Sequence, residues 1–447
     1  MKNILTRIFL IVTSMIVFTQ FNYAQQGNVL TLENAIKLGF ENSHQLNIAK
    51  LNVENKEASY DETKTQMLPL LQFNAGYRRL SEITPYTISG PFGSIAISPN
   101  ITDYYDLKLS LSQPLFTGFR LSGNTNAAEN IFLASKENLT LEQQALILKI
   151  KYAYWNVYKA QKLSKVIDEN VNQIQAHLND AKNMYDRGMA TNNDLLKVEV
   201  QLAEAKLKQL DLQNSVRLAK LGLNNTLGLP LSNAIEIAEE IDLNLAEDID
   251  LNSQLELAYQ NRPDLKTIEY NLKAGEYAID IANSGWFPQI YLSGNYNYSN
   301  PNTRFFPQES KFKGSWDVGV SLSYDLWNWN RSGYKSTQAR VQYEQSKDNY
   351  NIIKDAVTLE VNQNYLNMKQ AKEKLAVSES SVKQAEENYR VTQELFKQGL
   401  TINSELLDAE VALLQSRTNY VQTIVDYELA KASLEKAVGE ITDYIKQ

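Results

Sequence analysis

A sequence pattern that occurs twice, 211 residues apart, constrains this chain more than any other feature. The stretch YDRGMATNNDLLKVEV contains Gly188 and closely matches FKQGLTINSELLDAEV, which contains Gly399, so that the offset is 399 − 188 = 211. SLSQPLFTGFR, beginning at Ser110, aligns with SLSYDLWNWNR, beginning at Ser321, at the same offset. Repeats of this kind indicate one structural unit used more than once. The sequence therefore predicts a tandem duplication.

Glycine and proline divide each copy in the same way. Residues 124–221 contain no proline and a single glycine, Gly188, and residues 334–438 contain no proline and a single glycine, Gly399. Because these two residue types are the strongest local breaks in helical patterns, each copy is predicted to hold a long helix of about 60 residues, one turn and a second helix.

The second helix of each copy carries a heptad-like apolar stripe, which is typical of helices that pack in coiled-coil fashion. In the first copy the stripe consists of Leu196, Val200, Ala203, Leu207, Leu210 and Leu221. In the second copy it consists of Leu407, Val411, Leu414, Val421 and Val425.

Four stretches alternate apolar and polar residues, the period of a strand with one apolar and one polar face. They lie at about residues 68–82, 103–116, 287–299 and 313–327. Each is about as long as a tilted transmembrane strand, although a soluble sheet packed on the helices has the same alternation. Transmembrane barrels need about 8 strands, and open sheet edges cannot face lipid. If these strands span a membrane, the barrel must be assembled from several chains.

The N-terminus is predicted to be a secretory signal peptide, residues 1–24. Lys2 and Arg7 precede the apolar run Ile8–Phe18, and Ala24 is a small residue suited to the position before a cleavage site. The run falls short of the roughly 20 apolar residues of a membrane-spanning helix. We therefore expect an exported chain, and no later stretch is apolar enough to predict a helical membrane protein.

Charge and composition exclude several functional classes. The net charge of −8 becomes −8 − 2 = −10 without the signal peptide, and an acidic chain without a basic patch argues against nucleic acid as a partner. The absence of cysteine excludes disulfides and thiol catalysis. The two histidines, His44 and His177, have no counterpart in the other copy, and we interpret both as incidental residues on helical surfaces. We predict no enzyme, cofactor or metal site.

The order of strands, long helix, glycine turn and second helix, twice behind a signal peptide, resembles the TolC family of outer-membrane efflux channels. The resemblance extends over about Leu30–Glu440, and its most specific marks are SQPLFTGF and the two glycine turns. It implies a mainly α fold with a β-barrel contribution: a homotrimer with four strands per protomer, a 12-stranded barrel and a coiled-coil α-helical barrel. The corresponding domains are a first repeat, a linker or equatorial segment, a second repeat and a C-terminal tail, at residues 25–230, 231–251, 252–440 and 441–447.

The resemblance also implies two kinds of site. Members of the family meet a periplasmic adaptor at the glycine turns; taken alone, these turns would be ordinary helix ends. By position, the adaptor contact falls on Arg187, Gly188, Met189, Ala190, Thr191, Gln398, Gly399, Leu400 and Thr401.

The second kind of site is a ring of acidic residues that narrows the channel entrance. By position it falls on Asp194, Glu405 and Asp408, although an acid in the first turn of a helix is also favoured simply by the helix dipole. Phe396 and Thr401 stand where many members have tyrosine and arginine. A closed state held differently from that of other members is therefore expected.

The function implied is a passive exit duct of a tripartite efflux pump in the cell outer membrane, with its helical domain in the periplasm. Its partners would be two further copies of the chain, outer-membrane lipid, a periplasmic membrane-fusion adaptor and an inner-membrane efflux pump or ABC exporter. The alternatives left open are the outer-membrane component of a type I protein-secretion system and a structural periplasmic coiled-coil protein.

Overall fold

The computed structural model describes residues 29–96, 100–238 and 249–441. The predicted signal peptide, most of the second half of the predicted linker and nearly all of the predicted tail lie outside these residues. Within the described ranges, no helix combines the length and the apolar character needed to cross a membrane. The elements follow in the order α1 (Leu32–Asn42), α2 (His44–Thr65), β1 (Leu70–Arg79), β2 (Thr87–Gly90), β3 (Gly93–Ala96), β4 (Asp103–Phe116), α3 (Arg120–Asp186), α4 (Asn192–Thr226), α5 (Leu251–Asn261), α6 (Pro263–Asn283), a 3-10 turn (Ser284–Trp286), β5 (Gln289–Asn300), β6 (Lys313–Ser323), α7 (Arg331–Lys397) and α8 (Asn403–Ala437).

The long helices of the two halves have equal lengths. Helices α3 and α7 each contain 67 residues, and α4 and α8 each contain 35. Their first residues are displaced by 331 − 120 = 211 and 403 − 192 = 211. Each pair therefore forms a helical hairpin with the same arm lengths and a turn of the same length.

The chain divides into two compact units. The first consists of Met1–Asn42, Lys149–Ala246 and Lys372–Leu429. Part of its core is a cluster in which the C-terminal part of α3 packs against α4. The buried members of this cluster are Val171, Ile174, Ala181, Val198, Leu202 and Ala205.

The stripe predicted on α4 is not the face that this helix buries within the chain. Leu196, Val200, Leu207 and Leu210 are 49–64% exposed. Helix α4 has two apolar faces, and the one that contains Leu202 contacts α3. The predicted stripe is thus available to another helix. On α8 the later stripe residues are buried within the chain (Val421 and Val425).

The second unit consists of Ser43–Leu148, Glu247–Ala371 and Ala430–Gln447. It contains an antiparallel sheet of four strands in the order β1-β4-β5-β6. The register aligns apolar residues across all four strands, as in the row Phe73, Leu109, Tyr296 and Trp316. Polar residues form the neighbouring rows on the opposite face, as in Asn74, Lys108, Asn297 and Ser315. The sheet therefore has one continuous apolar face.

This apolar face is largely exposed. Phe73, Trp316, Val318 and Leu322 are 64–69% exposed, and none of them belongs to the buried core. A soluble sheet packed on helices would cover such residues, because burying one large apolar side chain stabilises a fold by about 1.5–3 kcal/mol. Within the described residues the helices leave this face uncovered, which disfavours the soluble alternative.

A second, smaller sheet lies in a connection that the composition predicts to be an exposed loop, residues 84–100. Strands β2 and β3 form a two-stranded antiparallel hairpin there, with Gly90 opposite Gly93. Gly93 has φ +117°, which side chains rarely tolerate. The Gly-Pro-Phe-Gly sequence thus makes a tight turn, and short flanking strands extend it.

Arg262, between α5 and α6, connects three elements of the second unit. Its guanidinium donates to both carboxylate oxygens of Asp264 (3.0 and 2.7 Å), to Glu360 (2.6 Å) and to the Ala437 carbonyl (3.0 Å). Burial opposes the change, but the hydrogen bonds and charge of Arg262 lower the pKa of Asp264 below its usual value. A paired, buried guanidinium of this kind fixes the end of α8 against α6 and α7.

Candidate functional site

The turns at Gly188 and Gly399 end α3 and α7 in the same way. Each glycine has a positive φ, +74° and +70°. In the first turn, Gly188 N donates to Tyr185 O and Met189 N donates to Met184 O, both at 2.9 Å. This pair of bonds is the Schellman motif, which satisfies the last carbonyls of a helix. The second turn repeats it with Gly399 N to Phe396 O and Leu400 N to Leu395 O, also at 2.9 Å.

Space does not require these glycines, since a Cβ at either position would meet no atom within 4 Å. They are required because the backbone at both positions has a positive φ. The turns themselves face solvent. Met189 is 64% exposed and Leu400 is 68% exposed. Arg187, Thr191 and Gln398 are also exposed, whereas Ala190 and Thr401 are half-buried. The residues predicted to contact an adaptor thus form two open surfaces with apolar side chains at their centres.

Helix α4 begins with a capping box. The Thr191 hydroxyl accepts from Asp194 N at 3.2 Å, and the Asp194 carboxylate accepts from Thr191 N at 3.0 Å. The same carboxylate accepts from the Thr191 hydroxyl at 2.6 Å. These bonds from Thr191 lower the pKa of Asp194 below its usual value, so the group stays ionised. Of the predicted constriction acids, Asp194 therefore also holds a helix start.

Helix α8 begins without such a box. The residue equivalent to Thr191 is Ile402 (402 − 191 = 211), which has no side-chain oxygen to accept a capping hydrogen bond. Glu405 and Asp408 are exposed, and neither carboxylate bonds to another group in the described parts of the chain. Three residues apart, they lie on one face of α8. Both acids are thus free to interact with groups outside the chain.

His177 was predicted to be an incidental surface residue, and this prediction is wrong. Its side chain is 2% exposed. Its Nε2 lies 2.9 Å from Asn403 Oδ1, and its Nδ1 lies 3.3 Å from Glu410 Oε2 and 3.2 Å from Glu410 Oε1. The signal available in the sequence was its spacing: His177 lies three residues after buried Ile174 and four before buried Ala181, at a core position of α3.

This buried cluster involves all four helices of the two hairpins in the first unit. Asn403 Nδ2 donates to the carbonyl of Asp194 on α4 at 3.3 Å. The ring of Phe396, from the end of α7, stands edge-on to His177 with 5.0 Å between centroids. Phe396, which replaces the expected tyrosine, therefore covers the histidine with an apolar ring and has no hydroxyl to bond with.

Residues 35–229 and 254–440 match the sequence model of the family described as outer membrane efflux protein. The chain belongs to the outer membrane efflux protein family. The matched residues include both helical hairpins and all four strands of the larger sheet. As a member of this family, it is an outer-membrane channel protein for export.

Two relatives illustrate the range of the outer membrane efflux protein family. The chain is 22% identical over 416 residues to the probable efflux pump outer membrane protein TtgC of Pseudomonas putida, covering 91% of this chain and 82% of that protein. It is 22% identical over 421 residues to the alkaline protease secretion protein AprF of Pseudomonas aeruginosa, covering 93% and 85%. Both names describe export components and neither describes an enzyme.

The fold is also that of a solved outer membrane protein. The crystal structure of the outer membrane protein VceC from Vibrio cholerae superposes with a TM-score of 0.76 at 16% identity, covering 91% of this chain and 96% of that one. At this level of identity, the likeness concerns the fold alone.

Proposed function

We propose that this outer membrane efflux protein is the exit duct of a tripartite pump, which passively conducts small molecules from the periplasm to the exterior. The exposed apolar face of the four-stranded sheet carries this proposal. A row such as Phe73, Leu109, Tyr296 and Trp316 suits contact with lipid chains, and the polar rows on the other face suit a water-filled lumen. Strands of 10–14 residues have the length to span a bilayer when tilted.

Closure of the sheet requires further copies of the chain. In the four-stranded sheet, β1 and β6 each pair on one side only. Unpaired edges cannot face lipid, because each free N–H or carbonyl costs several kcal/mol there. Pairing β1 of one copy with β6 of the next closes three copies into twelve strands. A homotrimer satisfies every edge with a single interface type.

The exposed stripe on α4 supports the same assembly. Leu196, Val200, Leu207 and Leu210 form a coiled-coil seam that has no partner among the described residues. In the same unit, α7 exposes a second set of apolar residues, which includes Val377 and Val391. We assign these surfaces to contacts between neighbouring copies.

The exposed turns at Gly188 and Gly399 are the proposed docking surface for a periplasmic adaptor. The contact residues are Arg187 to Thr191 in the first turn and Gln398 to Thr401 in the second. Met189 and Leu400 offer apolar area, and Arg187 offers a charge-assisted hydrogen-bond donor. The adaptor would in turn connect the duct to an inner-membrane efflux pump, which supplies the energy.

The acids Asp194, Glu405 and Asp408 are the proposed constriction. In a trimer each acid occurs three times around the axis, and the carboxylates of such a ring repel one another and attract cations. The closed state at rest would bring the three carboxylates of each ring close together. An adaptor that binds the open arrangement more tightly would shift the population toward it.

Type I protein secretion is the second candidate, and the relation to AprF, named as a protease secretion protein, favours it. The relation to TtgC, named as an efflux pump protein, supports efflux. The inner-membrane component would select the transported substrate, so both candidates use the same outer-membrane channel. A purely structural coiled-coil role is disfavoured by the exposed apolar sheet face.

The constriction can be tested in planar lipid bilayers with the double variant Glu405→Ser, Asp408→Ser. Removing both rings should raise single-channel conductance severalfold and weaken block by divalent cations, because six carboxylates leave the entrance. Asp426→Ser, an exposed acid 18 residues beyond Asp408 on the same helix, is the matched control. Conductance and block equal to those of wild type in the double variant would refute the assignment.

A further inference from the structure

The four-stranded sheet has two free edges, β1 and β6. We propose that β6 of one copy pairs with β1 of the next copy in one defined register, in which Ser321 lies opposite Gly76 and Ser323 lies opposite Asn74. This inference rests on the proposed homotrimer and names the residues through which its copies join. The partner at each edge is a second copy of this chain, and the two edges form a heterologous interface that closes into a ring.

The internal duplication governs how the strands pair within each hairpin. In the first copy Leu70 lies opposite Ser112, and in the second copy Gln289 lies opposite Ser323. The first strands are therefore offset by 289 − 70 = 219 and the second strands by 323 − 112 = 211. Every other pair of the shorter ladder has its counterpart at the same two offsets. The two hairpins thus share one register.

The chain also contains one joint between hairpins, the ladder of β4 and β5. There Ser110 lies opposite Asn295. In the joint between copies, β6 takes the place of β4 and β1 takes the place of β5. Applying the two offsets gives Ser321 (110 + 211) opposite Gly76 (295 − 219). Because a closed barrel needs a consistent stagger between its strands, the joint within the chain is the template for the joint between copies.

The side chains on the two strands agree with this register. On the apolar face it places Val320 opposite Tyr77 and Tyr324 opposite Phe73, and aromatic residues pair well with β-branched or aromatic partners across strands. On the polar face it places serines opposite Gly76 and Asn74. A slip of one residue would put apolar side chains on the polar face. Only slips of two residues therefore remain as competing registers.

The ends of the strands nearest the helices agree as well. Strand β4 continues to Phe116, whose equivalent is Trp327 (116 + 211), whereas β6 ends at Ser323 in the single chain. Trp327 and Leu71 are 75% and 62% exposed. The register places them opposite each other, as Phe116 lies opposite Ile290. Pairing with the next copy would thus extend β6 to the length that β4 already has.

The other ends of the strands give an independent observation. The register pairs Arg79, the last residue of β1, with Val318, so the first five residues of β6 lie beyond β1 of the next copy. Side chains of the β5–β6 connection already donate to two carbonyls of this segment: Arg304 Nη1 to Trp316 O at 2.7 Å and Asn302 Nδ2 to Lys313 O at 2.9 Å. The chain itself therefore supplies hydrogen bonds where the register leaves β6 without a neighbouring strand.

The turn into the long helix is the place where the two joints differ. A Cβ at Gly118 would lie 2.7 Å from Ser284 O, so only glycine fits the joint within the chain. The equivalent residue is Trp329 (118 + 211), which carries a large side chain. The equivalence therefore covers the strands, and the joint between copies must be wider at this turn.

The chain contains no cysteine, so that introduced cysteines can report the register without background. The matched double variants are Ser321→Cys with Gly76→Cys and Ser323→Cys with Asn74→Cys. Directly opposite residues have Cα atoms about 4.5–5.5 Å apart, within the range of about 4.4–6.8 Å that a disulfide spans. A Cβ at Gly76 meets no atom within 4 Å. Within one chain β1 and β6 are about 14 Å apart, three strand spacings, so only two copies can be linked.

The control variants combine the same four positions in crossed pairs, Ser321→Cys with Asn74→Cys and Ser323→Cys with Gly76→Cys. These pairs are two residues out of register, with Cα atoms about 7–8 Å apart. Full-length trimers are oxidised with copper phenanthroline and separated on denaturing gels without reductant. Both matched pairs should convert most of the protein into covalent trimers that reductant returns to single chains, whereas crossed pairs should leave mostly single chains. Unheated gels check that each variant forms trimers before oxidation.

The outcomes separate the register from the assembly. A crossed pair that links more completely than the matched pairs would overturn the register and leave the homotrimer intact. Intact trimers in which none of the four variants links would overturn the pairing of β6 with β1. A wild-type protein that is monomeric on unheated gels and in sedimentation would refute the proposed homotrimer itself. If one matched variant fails to assemble, the other matched variant decides, because each pair tests the same register.

Discussion

The exposed stripe on α4 gives the sharpest test of assembly. Leu207 and Leu210 are 64% and 62% exposed in the single chain. Full burial of a leucine stabilises by about 1.5–3 kcal/mol, so covering the exposed part of each side chain contributes about 1–2 kcal/mol. Two leucines therefore contribute roughly 2–4 kcal/mol per interface, and three interfaces contribute roughly 6–12 kcal/mol per trimer. The double variant Leu207→Ala, Leu210→Ala should lose most of this stabilisation of the trimer.

The measurement is the temperature at which trimers dissociate, followed on semi-native gels and by sedimentation in detergent at several protein concentrations. Lys208→Ala is the matched control, because it shortens an exposed polar side chain between the two leucines. Leu202→Ala tests the other face, since Leu202 is buried against α3. It should destabilise the hairpin by about 2–5 kcal/mol.

The expected order is clear: the double variant dissociates at a much lower temperature than Lys208→Ala, and its dissociation depends strongly on protein concentration. Equal dissociation temperatures for the double variant and Lys208→Ala would refute the reasoning. In that case, the stripe faces something other than another copy of the chain.

Two further predictions concern stability. Arg262→Ala leaves Asp264 without its partner and Glu360 with only Lys436 at 3.6 Å, and it should lower the free energy of unfolding by about 3 kcal/mol in thermal melts. Arg262→Lys should recover only part of this free energy, because lysine lacks the two-pronged geometry of the guanidinium. Since the folded pKa of Asp264 is lowered, this stabilisation is present above about pH 3.9 and is lost as the pH falls through the folded value, so wild type and variant should converge in acid. Gly399→Val should cost about 1–2 kcal/mol from backbone strain alone, and Gly399→Asn should cost less; a valine variant as stable as wild type would contradict the positive φ.

The strands were predictable from alternation, but their ends depend on pairing. The second strand of the second copy is predicted to reach residue 327, whereas β6 ends at Ser323, which pairs with Gln289, the first residue of β5. Pro288 comes just before and has no N–H to continue the ladder. Trp329 and Asn330, with positive φ, then turn the chain into α7. A pattern along one strand contains no information about where its partner stops.

The buried histidine shows a second limit of sequence patterns. His177 was judged by the absence of a repeated partner, whereas its real partners are 226 and 233 residues away on α8. Likewise, the period of α4 identifies its apolar residues but not which face the chain itself covers. Local period gives the elements, and only their packing gives the contacts between distant positions.

The unequal starts of α4 and α8 have a consequence for how a duplicated chain diverges. In one copy, Thr191 and Asp194 cap the start of α4, which stabilises the helix by about 1 kcal/mol. In the other copy, the equivalent residue Ile402 has no side-chain oxygen, and the equivalent acid Glu405 takes part in no capping box. The two copies thus differ in what their equivalent acids do: Asp194 stabilises a helix start, whereas Glu405 is exposed and makes no such bond.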